Sequence, residues 1–169
     1  MNNRRPPSRP HGGWTLLELL ITIIVVAVLT AGVLLLYRQA TSAADTTRAE
    51  DLLTSIQATV HELYADESSY TNLDGAVLRS GGLAADRRDP WGGAIHIRPT
   101  AGGRHFTISF RHVPHAACLR LGDGATGADW SSLRIDGESV YDGTTRPAPA
   151  TVLSACRSAP YDRITWTSS

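Results

Sequence analysis

The chain has 169 residues, and its 16 basic residues, all arginine, balance 16 acidic residues to a formal net charge of zero. This length allows one globular domain in addition to an apolar N-terminal segment. A neutral chain lacks the excess of positive charge typical of nucleic acid binding, so we expect no direct binding of DNA or RNA.

A short basic segment opens the chain and is followed by a long apolar run. Between Trp14 and Leu36 the only charged residue is Glu18. A helix of this length is roughly 35 Å long, which is enough to cross the core of a bilayer. A carboxylate inside a membrane segment costs roughly 2.5–3.5 kcal/mol, so we treat Glu18 as a candidate functional residue.

Two ordinary explanations of this segment fail on particular residues. A secretory signal peptide has an apolar core of about 7–15 residues, followed by a small-residue cleavage site. Here the apolar run is longer, and the small residues Gly12 and Gly13 precede it. A plain signal anchor explains the length and the basic flank, which would stay in the cytoplasm. It leaves Glu18 and the double glycine unexplained.

Gly13, Trp14 and Glu18 stand in a register that resembles the type IV prepilin family. Members of that family have a basic leader that ends in glycine, a hydrophobic first mature residue and a glutamate at mature position five. The resemblance implies that a prepilin peptidase cuts between Gly13 and Trp14, and that the new amine of Trp14 is then methylated. It also implies that mature subunits polymerise through their N-terminal helices.

The charges at this junction fit the resemblance. A free α-amino group is mostly cationic at neutral pH, and Glu18 lies one helical turn beyond Trp14. In a filament, Glu18 of one subunit can pair with the amine of its neighbour and cancel two charges in an apolar core. We expect this pair to set the axial register more than to add stability. Removal of the leader would leave 13 basic and 16 acidic residues, which again does not favour nucleic acid.

The helix is predicted to continue beyond the membrane segment. No proline occurs between Trp14 and Asp89, and apolar residues recur every three or four positions from Ala44 onward. This pattern predicts one helix from Trp14 to about Asp66, whose second half packs on a domain. Gly32 is its weakest position, where we expect either local unwinding or a close helix–helix contact. The stripe consists of Ala49, Leu52, Leu53, Ile56, Val60, Leu63 and Tyr64.

The rest of the chain alternates turn signals with short β-rich or helix-compatible segments. One helix followed by antiparallel strands predicts an α+β fold with the long helix laid across one sheet. Asp136-Gly137 is a strong signal for a two-residue hairpin turn. The predicted elements are a helical turn at Ala76–Arg79, a hairpin of Ala94–Arg98 and Arg104–Phe110, a short helix in Val113–Leu121 ended by Gly122, a second hairpin in Leu133–Tyr141, a helix within Ala148–Ser158 and a strand at Arg163–Thr167.

Three further segments resemble the major pilins of the type IVb group that includes conjugative thin pili. They are DPWGGAIHI, FTISFRHVPHAACLRL and a second cysteine shortly before RITWTSS. An oxidising periplasm favours a disulfide between Cys118 and Cys156, although two buried free thiols remain an alternative. In that family the two cysteines bound a loop on the exposed face of the filament, and residues 118–156 would be this chain's version.

No pattern indicates an enzyme, a cofactor or a metal site. His112 and His115 have no cysteine or carboxylate cluster beside them to complete a zinc site. The serines and threonines match no nucleophile motif, so we predict no catalytic residue. Trp91 and Trp166 are expected in the core, whereas Trp130 is a candidate exposed contact for a neighbouring subunit or a receptor.

These observations predict the major subunit of a type IVb-like pilus that serves conjugation or adhesion. Its partners would be copies of itself, the prepilin peptidase and methyltransferase, the assembly platform with its ATPase, and the membrane before assembly. The prepilin would lie in the inner membrane with its head in the periplasm, and the assembled pilus would be extracellular. The alternatives are a minor pilin, a type II secretion pseudopilin or, more remotely, a bitopic membrane sensor or receptor. The predicted parts are a leader at 1–13, a transmembrane helix at 14–36, its amphipathic continuation at 37–66 and a head at 67–169.

Overall fold

The computed structural model describes residues 15–83, 87–124, 130–157 and 160–168. Two compact units divide the chain, Met1–Ala40 and Thr41–Ser169. Helix α1, Leu16–Leu63, contributes to both units. It ends before Asp66, because the backbone amides of Ala65 and Glu67 bond to carbonyls three residues back in a tighter turn. The predicted start at Trp14 lies outside the described residues.

The second unit is a five-stranded sheet with helices, as predicted for an α+β domain. All of its strand pairs are antiparallel, in the order β1-β2-β5-β3-β4. The last strand lies between the two hairpins and joins them into one sheet. The strands are β1 (His96–Pro99), β2 (Phe106–Pro114), β3 (Trp130–Ile135), β4 (Glu138–Tyr141) and β5 (Tyr161–Ser168), and the helices are α2 (Gly75–Ser80), α3 (His115–Gly124) and α4 (Pro149–Ala155).

Both predicted hairpins are present. Strands β1 and β2 pair antiparallel with His96 opposite Ser109. Strands β3 and β4 meet at Asp136 and Gly137, whose φ angles of 49° and 90° are both positive. A two-residue turn with two positive φ angles matches the right-handed twist of the strands, and an Asp-Gly pair adopts it readily. The turn chemistry therefore sets the register of this hairpin.

The core lies between one face of the sheet and the part of α1 within the second unit. Strand residues alternate between buried and exposed positions, as a sheet with one covered face requires. The predicted helical stripe is buried or partly buried, with Ala49, Ile56 and Val60 fully covered. The facing sheet residues are Phe106, Ile108, Phe110, Leu133, Ile135, Ile164 and Trp166.

Three sequence predictions were wrong in detail. Helix α3 continues past Gly122 to Gly124. Gly122 instead serves close packing, since a Cβ there would lie 2.6 Å from Cγ1 of Val152 in α4. Val113 belongs to strand β2 and not to the helix. Trp130 is only 8% exposed, with its ring 6.5 Å from that of Trp166, so it is not an exposed contact residue.

A tight loop at Asp89–Gly93 is fastened to strand β2. Oδ1 of Asp89 accepts the amides of Trp91 at 3.0 Å and Gly93 at 2.7 Å. Burial raises the pKa of Asp89, while the bonds from the amides of Gly93, Trp91 and Arg111 oppose that rise. Gly93 lies against the β2 backbone, because a Cβ there would be 1.9 Å from the carbonyl oxygen of Arg111. The loop therefore requires glycine at this position.

We expect Gly93→Ala to lower the free energy of unfolding by about 2 kcal/mol or more, because the clash is with backbone and cannot be relieved by a side-chain rotation. Urea unfolding of the detergent-solubilised chain, followed by tryptophan fluorescence, measures the change. The matched control is Gly92→Asn, since a Cβ at Gly92 meets nothing within 4 Å and its φ of 84° is one that asparagine tolerates. Equal losses in the two variants would contradict the close-packing explanation.

Candidate functional site

Glu18 lies in the first turn of α1, three residues after Thr15, which caps the helix. The amide of Glu18 donates to Oγ1 of Thr15 at 3.3 Å, and the amide of Leu19 donates to the carbonyl of Thr15 at 3.1 Å. Threonine followed three residues later by glutamate is the capping-box spacing, but among the described residues only the threonine half of the box is formed, since the Glu18 carboxylate accepts no bond. A carboxylate in the first turn also interacts favourably with the helix dipole. Thr15 thus caps the helix and the Glu18 carboxylate favours its first turn, which the sequence analysis missed although the spacing signals it.

The other polar side chains in the apolar run are satisfied within the helix. Oγ1 of Thr22 donates to the carbonyls of Glu18 and Leu19, and Oγ1 of Thr30 donates to the carbonyl of Val26 at 2.7 Å. Threonine in a helix commonly makes this bond to the preceding turn. In contrast, no side chain within residues 15–83, 87–124, 130–157 or 160–168 pairs with the Glu18 carboxylate. This charge is free to receive a partner from outside the described chain.

The surface around Glu18 is strongly apolar. Every residue from Leu16 to Tyr37 is exposed, including Leu16 at 81% and Leu36 at 68%. A helix that is apolar on all sides and uncovered is stable in lipid or when packed against other helices. Among the described residues, α1 is the one helix that is long and apolar enough to cross a membrane. Gly32 is helical in this segment, and a Cβ there would meet nothing within 4 Å.

The predicted site residues are not all placed by the structure. Gly13 and Trp14 lie outside the described residues, so their relation to Glu18 stays a prediction. Cys118 and Cys156 are described, and both are fully buried.

The two cysteines form a disulfide that ties α3 to the end of α4. The imidazole Nδ1 of His115 contacts the carbonyl oxygen of Cys156, which adds a second link between the same segments. The chain between the two cysteines includes both strands of the β3–β4 hairpin, so the bridge closes a loop that carries part of the sheet. A carboxylate oxygen of Asp162 lies near both sulfurs, but sulfurs joined to each other do not serve as thiolate metal ligands.

The long helix, the single antiparallel sheet laid on its second half and the disulfide in the C-terminal half define the class as the type IV pilins. The chain belongs to the family described as PilS N terminal, which matches residues 43–169. The resemblance to type IV pilins that was inferred from the sequence is confirmed by this match together with the relatives below.

Similar proteins of known role support the same class. The major structural subunit of the bundle-forming pilus of Escherichia coli O127:H6 (strain E2348/69 / EPEC) is 25% identical over 170 residues, covering 86% of this chain and 87% of that protein. The corresponding subunit of Escherichia coli O111:H- is also 25% identical over 170 residues.

Solved structures show the same fold. The type IV b pilin from Salmonella typhi has a TM-score of 0.53 at 19% identity, covering 73% of this chain and 97% of that chain. TcpA, a type IV pilin from Vibrio cholerae El Tor biotype, has a TM-score of 0.55 at 17% identity, covering 75% of this chain and 99% of that chain.

Proposed function

We propose that this chain is the major structural subunit of a type IVb-like pilus. The observation that carries the proposal is the exposed apolar half of α1 with one carboxylate that has no partner among the described residues. Such a helix is incomplete as a monomer and is completed by lipid before assembly and by other helices afterwards. The names of the curated relatives, which are major structural subunits of a pilus, support the same role.

The proposed route begins in the inner membrane. A prepilin peptidase removes residues 1–13 by cutting between Gly13 and Trp14, and the amine of Trp14 is methylated. The head, residues 67–169, lies in the periplasm, where an oxidising environment maintains the Cys118–Cys156 bond. An assembly platform and its ATPase then transfer the subunit from the membrane into an extracellular filament.

The hydrophobic effect alone does not drive this transfer. Lipid tails are as apolar as leucine, so moving α1 from the bilayer to a filament core removes little apolar surface from water. Association must instead rest on close packing and on polar interactions that lipid cannot offer. A charge pair between Glu18 of one subunit and the Trp14 amine of the next supplies one such interaction. A pair of this kind also favours one axial register between neighbouring helices, whose apolar contacts would be similar in many registers.

Two other roles share parts of this architecture. A minor pilin or a type II secretion pseudopilin would be processed in the same way but would not form the bulk of a long filament. A bitopic sensor would keep its leader and would not polymerise. We propose no enzymatic activity, in keeping with the structural role of the relatives.

Electron microscopy of sheared surface fibres tests the proposal. The cells express the chain together with its assembly system, and an antibody against residues 41–169 labels the fibres. A major subunit labels each fibre along its whole length. Label confined to fibre tips would indicate a minor pilin, and fibres without any label would reject the proposed function.

A further inference from the structure

The outer face of the sheet, opposite α1, is polar and carries four arginines. Strand alternation and pairing place Arg98 on β1, Arg111 on β2, Arg163 on β5 and Arg134 on β3 on this face, and all four are exposed. We call this surface the outer sheet face. Twelve of its strand residues are His96, Arg98, Thr107, Ser109, Arg111, Ser132, Arg134, Ser139, Tyr161, Arg163, Thr165 and Thr167, and none of these twelve is acidic. His112 and Pro114 lie on the same face beside Tyr161.

Three of these arginines act on one imidazole. Burial lowers the pKa of His96, and the charges of Arg111, Arg98 and Arg163 lower it further. The three arginines therefore lie near His96 on three neighbouring strands, β1, β2 and β5. None of them pairs with an acid within the described ranges, where ion pairs join Arg48 to Asp45 and Arg146 to Asp123.

Asp136 and Asp89 lie next to this face and offset only part of the charge of its four arginines. Oδ1 of Asp136 accepts the amide of Arg163 at 2.9 Å, and this bond leaves the carboxylate charge in place. Asp89 is buried beside Arg111, where the register between β2 and β5 shifts, and its Oδ1 is bonded to backbone amides. Arg134 donates from Nε and Nη2 to the carbonyl of Gly137, which holds its guanidinium in place without removing its charge. Four arginines against these two acids leave the face with net positive charge on a mature chain that would be acidic overall.

The centre of the face is an array of hydroxyl groups. Ser109 bonds to Thr165 at 2.9 Å, and Ser132 bonds to Thr167 at 2.9 Å, across neighbouring strands. Guanidinium groups bind planar anionic groups through two parallel hydrogen bonds, and hydroxyl side chains both donate to and accept from sugar hydroxyls. The surface has the chemistry to bind anionic groups spaced along a hydroxyl-bearing polymer.

Nucleic acid fits this surface less well. Tyr161 is the one aromatic side chain among the twelve apart from His96, and its ring lies against His112 at a centroid separation of 5.5 Å. The hydroxyl centre therefore has no platform for stacking bases.

We propose that the outer sheet face binds an anionic polysaccharide, with Arg98, Arg111 and Arg163 contacting its sulfate or carboxylate groups. This inference concerns the head itself and goes beyond the proposed function. If the chain polymerises, each filament repeats the site many times, and a weak single contact becomes strong avidity.

Binding of the full, detergent-solubilised chain to immobilised dextran sulfate tests the inference without requiring a filament. The triple variant Arg98→Gln/Arg111→Gln/Arg163→Gln is compared with the charge-matched control Arg48→Gln/Arg79→Gln/Arg146→Gln. We expect about tenfold or greater weakening in the first variant, together with a shallower dependence on salt, and little change in the control. Equal weakening in the two variants would show that only net charge matters and would overturn the site.

Two further measurements complete the test. An NMR titration of the His96 imidazole is expected to shift to higher pH when dextran sulfate is bound, because the polymer offsets the charge of the three arginines. An unchanged titration would place the polymer elsewhere and overturn the site. Duplex DNA at matched charge concentration is expected to bind more weakly than dextran sulfate, and stronger binding of DNA would overturn the assignment to a polysaccharide.

Discussion

Glu18→Val is expected to abolish filament formation while leaving insertion into the membrane intact. Removal of a carboxylate from a membrane segment relieves a cost of roughly 2.5–3.5 kcal/mol, so the variant should insert at least as well as the wild type. The expected defect is in assembly, because the Trp14 amine of the neighbouring subunit would then lack its counter-charge in an apolar core. The measurement is the yield of sheared fibres against the amount of subunit in the membrane fraction.

A matched variant separates the two roles of Glu18. Glu18→Gln keeps the capping-box spacing with Thr15, since glutamine replaces glutamate in that motif, but it removes the charge. We expect fibre yield to fall by about tenfold or more in this variant too. Without the charge of Glu18, the Trp14 amine of the neighbouring subunit is left unpaired in an apolar core. Wild-type yield from Glu18→Gln would instead show that assembly does not need the charge of Glu18 and would rule out the charge pair.

Cys118→Ala/Cys156→Ala is expected to lower the free energy of unfolding by about 4 kcal/mol. The two cysteines are 38 residues apart, and closing a loop of that length removes roughly this much entropy from the unfolded chain. Both sulfurs are fully buried, so replacement by alanine also leaves a small cavity. Urea unfolding of the full chain in detergent, under oxidising conditions, measures the loss.

A reduced wild-type sample controls for the cavity. Reduction breaks the same cross-link while it keeps both sulfur atoms, so it should reproduce most of the loss seen in the double variant. The hairpin β3–β4 lies within the closed loop, and its amides are expected to lose hydrogen-exchange protection first. A change below about 1 kcal/mol in both samples would show that sheet pairing alone holds this region.

Local sequence patterns predicted the elements of this fold well, and long-range contacts explain most of the errors. The helical stripe and the Asp136-Gly137 turn follow from side-chain spacing and turn chemistry, which neighbouring residues determine. The insertion of β5 between the hairpins depends on pairing between strands far apart in the chain. Trp130 was expected to be exposed, whereas the register of β3 against β5 brings its ring toward Trp166.

The candidate sites also divide into one that a local sequence pattern predicts and one that long-range strand pairing creates. Glu18 was predicted to be a functional residue because a carboxylate in a membrane segment is energetically costly. This inference requires only the residue types in the apolar run. The outer sheet face was missed because net charge averages over the whole surface. Its four arginines come from four different strands, so only the strand order and the alternation of side chains bring them to one face.

The intact mass of the subunit released from sheared filaments is the decisive test of processing and assembly. We predict a chain that begins at Trp14, lacks residues 1–13 and carries one additional methyl group on its terminal amine, with Cys118 and Cys156 oxidised. A filament subunit that begins at Met1, with the bond between Gly13 and Trp14 uncut, would contradict it.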